Sequence, residues 1–341
     1  MTDFDFIYLA AAFGGGVFGA AFGAVIAFVL CGFLAVIGAG VTVAMGAAPD
    51  AAAFSNLVAW GPYLGPHVAF GAGVVAAAYA GRVGKLDSGK NIGATLIGLN
   101  APDVLAVGGI FGALGYVWYW VIATYGPALG DFAWVHPVVG SLVINSVLAR
   151  LLFGKSGLFG KVKTGASRWV PSDAACWLRW QETPPQVLLI GLAVALPTAF
   201  VISKLPAAMD FSFGLPALWL TFLVLGMKTP VAHHIGFIAG FAVLALGNFW
   251  WGVAFGVFAA YAAQLLAPMF LNHGDTHIDP PVMSIFVSWA AVVIVAFAGA
   301  KSAPEAVAAA VAVAVAVVGY GVLVLLSSAK SSPTPQAATP A

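Results

Sequence analysis

Charge is what this chain has least of. Of its 341 residues only 7% are Asp, Glu, Lys or Arg, and the formal net charge is +1. So sparse a surface cannot solubilise a globule of this size, and a near-neutral balance gives no reason to expect nucleic acid or an acidic surface as a partner. Cysteine is nearly absent as well. Cys31 lies in an apolar run and Cys176 in a basic loop, which offers neither metal-type spacing nor an expected disulfide. The first residues, with Asp3 and Asp5, lack the basic segment of a secretory leader, so the first apolar stretch is expected to stay in the protein.

What is abundant is apolar surface. The chain is 62% hydrophobic with mean hydropathy +1.02, and many stretches exceed the roughly 18 apolar residues that cross a bilayer. These features predict an all-α, polytopic membrane bundle whose surroundings are lipid. About eleven spans are expected, near 7–28, 29–47, 66–81, 103–125, 132–153, 186–204, 210–228, 230–247, 248–267, 280–300 and 304–326. No polar turn separates the first two. Gly15, Gly19 and Gly23 form a small-xxx-small stripe suited to close helix packing. Apolar connections broken by Gly and Pro, at 51–65, 91–102 and 205–216, suit half-helices or interfacial segments; the interfacial reading is favoured for 205–216.

Two sets of segments repeat. Gly130-Asp131 and Pro137-Val138 recur at a fixed offset as Gly274-Asp275 and Pro281-Val282, and Phe111-Gly112 recurs as Phe255-Gly256. At a different offset, His67-Val68-Ala69-Phe70 through Gly73 matches His234-Ile235-Gly236-Phe237 through Gly240. All six histidines fall in these segments.

Nine of the thirteen basic residues cluster at Arg82–Lys90 and Arg150–Arg179, which the positive-inside rule places in the cytoplasm. Five spans precede the central loop, which puts the N-terminus outside and reverses the second copy. The expected organisation is therefore a first repeat (1–153), a cytoplasmic basic linker (154–185), an inverted second repeat (186–300), an extra helix (301–326) and a disordered tail (327–341).

The second copy is the richer in polar groups. His273-Gly274-Asp275-Thr276-His277-Ile278-Asp279-Pro280-Pro281 places ionisable residues at alternate positions. In an extended segment they share one side, which suits a divalent cation or a proton relay; His273, Asp275 and His277 form the candidate metal set. Asp279 before Pro280-Pro281 also reads as a helix N-cap. In the first copy Asp131 survives, Ala133 and Val135 replace His277 and Asp279, and His136 stands where Pro280 does. Of His233 and His234, adjacent on a helix, one faces any cavity. Asp103 reads as an N-cap, Asn145 and Ser146 as interhelical hydrogen-bonding residues, and Trp118, Tyr119, Trp120, Trp250 and Trp251 as interfacial aromatics or bundle contacts with no substrate role.

Ionisable groups are costly in a bilayer, so they imply a hydrated or paired site between the repeats. The reading is a permease or secondary transporter for a small solute or ion. Its candidate site draws on His67, Asp131, His136, His233, His234, Asp275, His277 and Asp279, with Asp275 and His277 as the favoured pair. Coupling to protons or to a metal cation is expected and no other cofactor is; a homo-oligomer is compatible. A passive channel and an intramembrane metal-dependent enzyme are the alternatives.

Three strings carry a resemblance. Gly65-Pro66-His67-Val68-Ala69-Phe70, Ala101-Pro102-Asp103-Val104-Leu105 with Gly108-Gly109, and the His273–Pro281 segment are similar to bacterial polytopic membrane proteins loosely labelled permeases. The resemblance covers most of residues 10–290. It implies a multi-pass protein of the bacterial plasma membrane and supplies no substrate and no site residues.

Overall fold

The computed structural model describes residues 3–328 apart from 47, 49, 165, 171, 173 and 174. The described chain is helical except for one two-stranded hairpin, β1 (Ala128–Leu129) and β2 (Phe132–Ala133), paired Ala128 to Ala133 and Leu129 to Phe132. In order the helices are α1 (Phe6–Phe22), α2 (Ala24–Met45), α3 (Ala69–Arg82), α4 (Pro102–Tyr125), α5 (Pro137–Phe153), α6 (Pro184–Lys204), α7 (Met209–Leu218), α8 (Leu220–Val224), α9 (His233–Leu246), α10 (Phe249–Phe270), α11 (Pro280–Phe297) and α12 (Glu305–Ser328).

Seven helical segments among the described residues are long and apolar enough to cross a membrane, so the protein is a membrane-embedded helical bundle. They are α2, α4, α6, Pro206–Val224 (which contains α7 and α8), α10, α11 and α12. The other four expected spans appear as helices of 14 to 17 residues. Two are shortened at their proline-marked starts: Pro66-His67-Val68 and Pro230-Val231-Ala232 precede α3 and α9 as non-helical backbone. The unmarked boundary between α1 and α2 lies at Gly23, whose φ of +85° breaks the helix without a polar turn. The segment at 205–216 is not a detached surface piece: a 3-10 turn (Pro206–Ala208) leads directly into α7. Ser327 and Ser328 end α12, and the rest of the expected tail lies outside the described residues.

Neighbour relations recur along the chain. α1 packs on α3 and α4, α3 on α4 and α5, and α4 on α5; likewise α6 packs on α9 and α10, α9 on α10 and α11, and α10 on α11. Across the two sets α2 packs on α7, and α5 on α11. α2 and α7 cross closely, because a Cβ on Gly32 would lie 2.7 Å from Ala217 Cβ and one on Gly214 would lie 2.8 Å from the Gly32 carbonyl oxygen. The glycine stripe of α1 packs as its spacing predicts. Gly15 lies against the carbonyls of Pro62 and Tyr63, and Gly19 against that of Ala69. α12 lies along α10 and α6 with most of its surface uncovered.

The start of α1, the hairpin and the start of α5 occupy one end of the bundle, called here the upper end. The basic loops occupy the lower end, held together by Arg150. Its side chain is fully buried and donates to Thr276 Oγ1 at 2.6 Å and to the carbonyls of Thr276 (2.8 Å), Phe270 (2.9 Å), Leu158 (3.0 Å) and Gly157 (3.3 Å). The fork geometry of guanidinium makes this possible; an ammonium cannot reach so many acceptors. Lys90 Nζ adds a bond to the Asn272 carbonyl at 3.3 Å, and Gly89 bridges Thr276. Arg150→Lys is expected to leave buried carbonyls unpaired, at about 1–3 kcal/mol each. The check is a thermal unfolding midpoint lowered by several degrees or more in the purified variant.

Candidate functional site

Two cavities and a neck organise the interior. The lower cavity, of 510 Å³, is lined by Phe28, Phe70, Lys90, Asn91, Cys176, Trp177, His233, His277 and Asp279, among others. The upper cavity, of 730 Å³, is lined by Tyr8, Asn56, Trp60, Tyr116, Tyr119, Trp120, His136, Asp210, Phe237, Phe241 and Trp289, with Asp3 and Asp5. Between them lies a void of 30 Å³ that shares Phe28 and His233 with the lower cavity and Trp60, His136, Val138 and Phe237 with the upper. Phe213 completes the neck. Its ring centroid is 5.2 Å from Phe28, 4.8 Å from Trp60 and 6.2 Å from Phe237. The cavities face opposite ends of the bundle. The lower takes Val25 near the start of α2 and the segments preceding α4, α9 and α11; the upper takes the residues after α2 and those around the starts of α1, α5 and α7.

Local structure explains how the lower side chains are held. Asp279 is the N-cap of α11: Oδ2 accepts the Val282 N–H at 2.9 Å, and Pro280-Pro281 form the first turn, as their spacing predicts. Its other oxygen, Oδ1, lies 3.1 Å from His277 Nε2. The start of α9 is fixed by Gln181, whose amide donates to the Val231 carbonyl at 3.0 Å and accepts the Val231 N–H at 2.8 Å. Of the adjacent histidines, His233 lines the cavity, with its ring 4.6 Å from Phe28, while His234 lies behind it, 6.3 Å from Trp177. Lys90 is partly buried; burial pushes its pKa down and Arg150 acts in the same direction, while Cys176 and Asp275 oppose them.

The other expected site residues are dispersed. Asp275 and His273 bind the central loop: the Asp275 carboxylate accepts Lys155 N–H at 2.5 Å and Ser156 Oγ–H at 2.6 Å, and His273 Nε2 lies 3.2 Å from the Arg168 carbonyl. The alternation that would have faced them with His277 is not realised, because residues 271–279 form turns and irregular backbone instead of a strand. The candidate metal set His273, Asp275 and His277 is thus not assembled. Among the described residues no three His, Cys, Asp or Glu side chains form a metal-binding group. Asp131 is exposed in the hairpin turn beside Gly130, which adopts φ +63°. His67 is fully buried and stacks on Tyr119 at 4.8 Å, with neither ring nitrogen hydrogen-bonded among the described residues. His136 reaches the neck and the upper cavity, 4.6 Å from Trp289.

Asp103 is no cap. It lies in the first turn of α4, pairs with Lys85 at 2.7 Å and accepts the Tyr79 hydroxyl at 3.0 Å. Asn145 donates across helices to the Phe111 carbonyl at 3.1 Å, whereas Ser146 bonds within its own helix to Leu142. Tyr119 and Trp120, read as interfacial aromatics, line the upper cavity. Lys90, Asp210, Phe28 and Phe213 were missed. Asp210 carries a signal the sequence offers, a lone carboxylate in an apolar stretch.

The family model described as "Family of unknown function (DUF7973)" matches residues 1–173 and again residues 166–310. The chain belongs to that family. No curated protein and no solved structure matches it.

The Asp275 contacts generate a pH prediction. Burial works against the charged carboxylate, but the bonds from Ser156 and Lys155, with Arg150 3.9 Å away, hold its pKa below the ordinary Asp value. A depressed pKa contributes stability above the unfolded value near 4, lost as pH falls through the folded one. Asp275→Asn is therefore expected to lower the unfolding midpoint at pH 7, with the gap to the parent protein narrowing below about pH 4. Midpoints across that range check it; a gap independent of pH would remove the electrostatic account.

Proposed function

We propose that the protein is a permease for a small solute or ion, with a path running from the upper cavity through the aromatic neck to the lower cavity. The observation that carries this reading is the pair of cavities facing opposite ends of a membrane-embedded bundle, separated by Phe28, Phe213 and Phe237. Cavities of several hundred Å³ suit a metabolite-sized solute. The 30 Å³ void at the neck admits none, so passage requires the rings to separate. That favours a carrier over an open channel.

The recurring neighbour relations and the two successive family matches support a duplicated architecture of five plus five spans and one extra helix. In that reading the copies are inverted: α1 starts at the upper end, and its counterpart α6 starts at the lower end beside the loop of Gln181. The α2–α7 crossing lies on the interface between the copies, where transporters of this kind place their sites. The lower end, with both basic clusters, faces the cytoplasm of a bacterial cell. At that end coupling is assigned to the His277–Asp279 pair, 3.1 Å apart, with His233 across the same cavity.

The native thiol at Cys176 gives the test. Cys176 lines the lower cavity, whereas Cys31 is fully buried and bonded to the Ala59 carbonyl at 3.1 Å. A membrane-impermeant maleimide is expected to label Cys176 in inside-out vesicles and not in right-side-out ones. With Cys176→Ser, an Asn56→Cys variant is expected to show the reverse. Phe213→Ala is expected to raise labelling of Cys176 from the outer side several-fold. Labelling of both positions from one side would end the two-cavity path.

A further inference from the structure

The upper cavity has a composition unlike the rest of the chain. Three of the twelve acidic residues line it, Asp3, Asp5 and Asp210, and no Lys or Arg does. Six large aromatic side chains besides Phe237 and Phe241 share its wall: Tyr8, Trp60, Tyr116, Tyr119, Trp120 and Trp289. These rings are held in place by one another and by their neighbours. Tyr8 stacks on Tyr116 at 4.5 Å, Tyr119 on His67 at 4.8 Å, and Trp289 on Phe241 at 3.6 Å, with the Trp289 indole N–H bonded to the Ala133 carbonyl at 2.9 Å.

The three carboxylates differ in availability. Asp5 is committed to the start of α1, accepting N–H bonds from Ile7 (2.7 Å) and Tyr8 (3.2 Å). Asp3 is exposed at the rim. Asp210 sits in the wall, partly buried, with hydrogen bonds from the side chains of Ser55 and Trp60 and no basic partner among the described residues. His136 Nδ1, buried in the same wall, is unpaired among the described residues. A carboxylate without a counter-ion inside an aromatic chamber calls for a cation, and ring faces select its kind. Hard metal ions favour converging carboxylates, and among the described residues no three His, Cys, Asp or Glu side chains converge, whereas alkylated ammonium groups bind to the faces of Trp and Tyr. In the lower cavity Lys90 and Asp279 offset each other, so the charge preference is set above the neck.

We propose that the upper cavity binds a small organic ammonium ion, with Asp210 balancing its charge and Trp60, Tyr119 and Trp289 among the rings that enclose it. As a substrate class this rests on the permease reading; as a binding site it does not.

The experiment is equilibrium binding of radiolabelled choline to the full-length protein in lipid nanodiscs, competed with 3,3-dimethylbutan-1-ol, its uncharged isostere, and with sodium chloride. Choline is expected to bind saturably, and the isostere at least about tenfold more weakly. Asp210→Asn is expected to weaken choline at least about tenfold and Asp210→Glu by no more than about threefold. If Asp210→Asn does not yield monodisperse protein, Tyr119→Leu takes its place, with a loss of at least about fivefold expected. Absence of saturable binding, equal binding of the isostere, displacement by sodium at equal concentration, or a variant with unchanged affinity would each overturn the proposal. Opposite-side labelling of Cys176 and Asn56→Cys without choline binding would remove the substrate class and leave the permease. Choline binding with same-side labelling would do the reverse.

Discussion

Arg150 puts a guanidinium with no exposed surface among four carbonyl oxygens and a hydroxyl, and the lower half of the molecule is arranged around it. The bonds run from α5 to the central loop just after it and to Phe270 and Thr276, so two stretches far apart in sequence share one cation. Such a group is expensive to desolvate and is tolerable only when its donors are nearly all used. Once they are, the backbone from Phe270 to Thr276 has little freedom, and His277 and Asp279 follow directly from it. The geometry of the lower cavity thus depends on a residue that does not line it.

Much of the fold was legible in the sequence because a bilayer demands simple things. Long apolar runs had to be helices, and Pro280-Pro281 had to stand in a first turn, which they do. Gly15 and Gly19 packed where their spacing indicated. The boundary at Gly23 was invisible, since it needs only a glycine at positive φ, and glycine is common throughout this chain.

The site was legible in part. The histidine-rich segment was identified, and Asp279 acts as the cap its neighbours imply. Asp275 does not share a face with His277 because alternation needs a strand, and among the described residues 273–279 gain only the single bridge from Thr276 to Gly89. Instead Asp275 and His273 bond to the central loop, while His277 turns to Asp279. Periodicity could not reveal the upper cavity either, since its aromatics come from α1, α4, α11 and the segment after α2. Of its lining only His136 is among the candidate site residues, and Asp210, a charge in an apolar stretch, is not.

Asp279 has its two oxygens engaged at once, one by the backbone of α11 and one by the imidazole of His277. A carboxylate used this way cannot answer to the ring without also answering to the helix. α11 carries Trp289, in the wall of the other cavity, on the same rigid rod. The cap that walls one cavity and the indole that walls the other therefore belong to a single element.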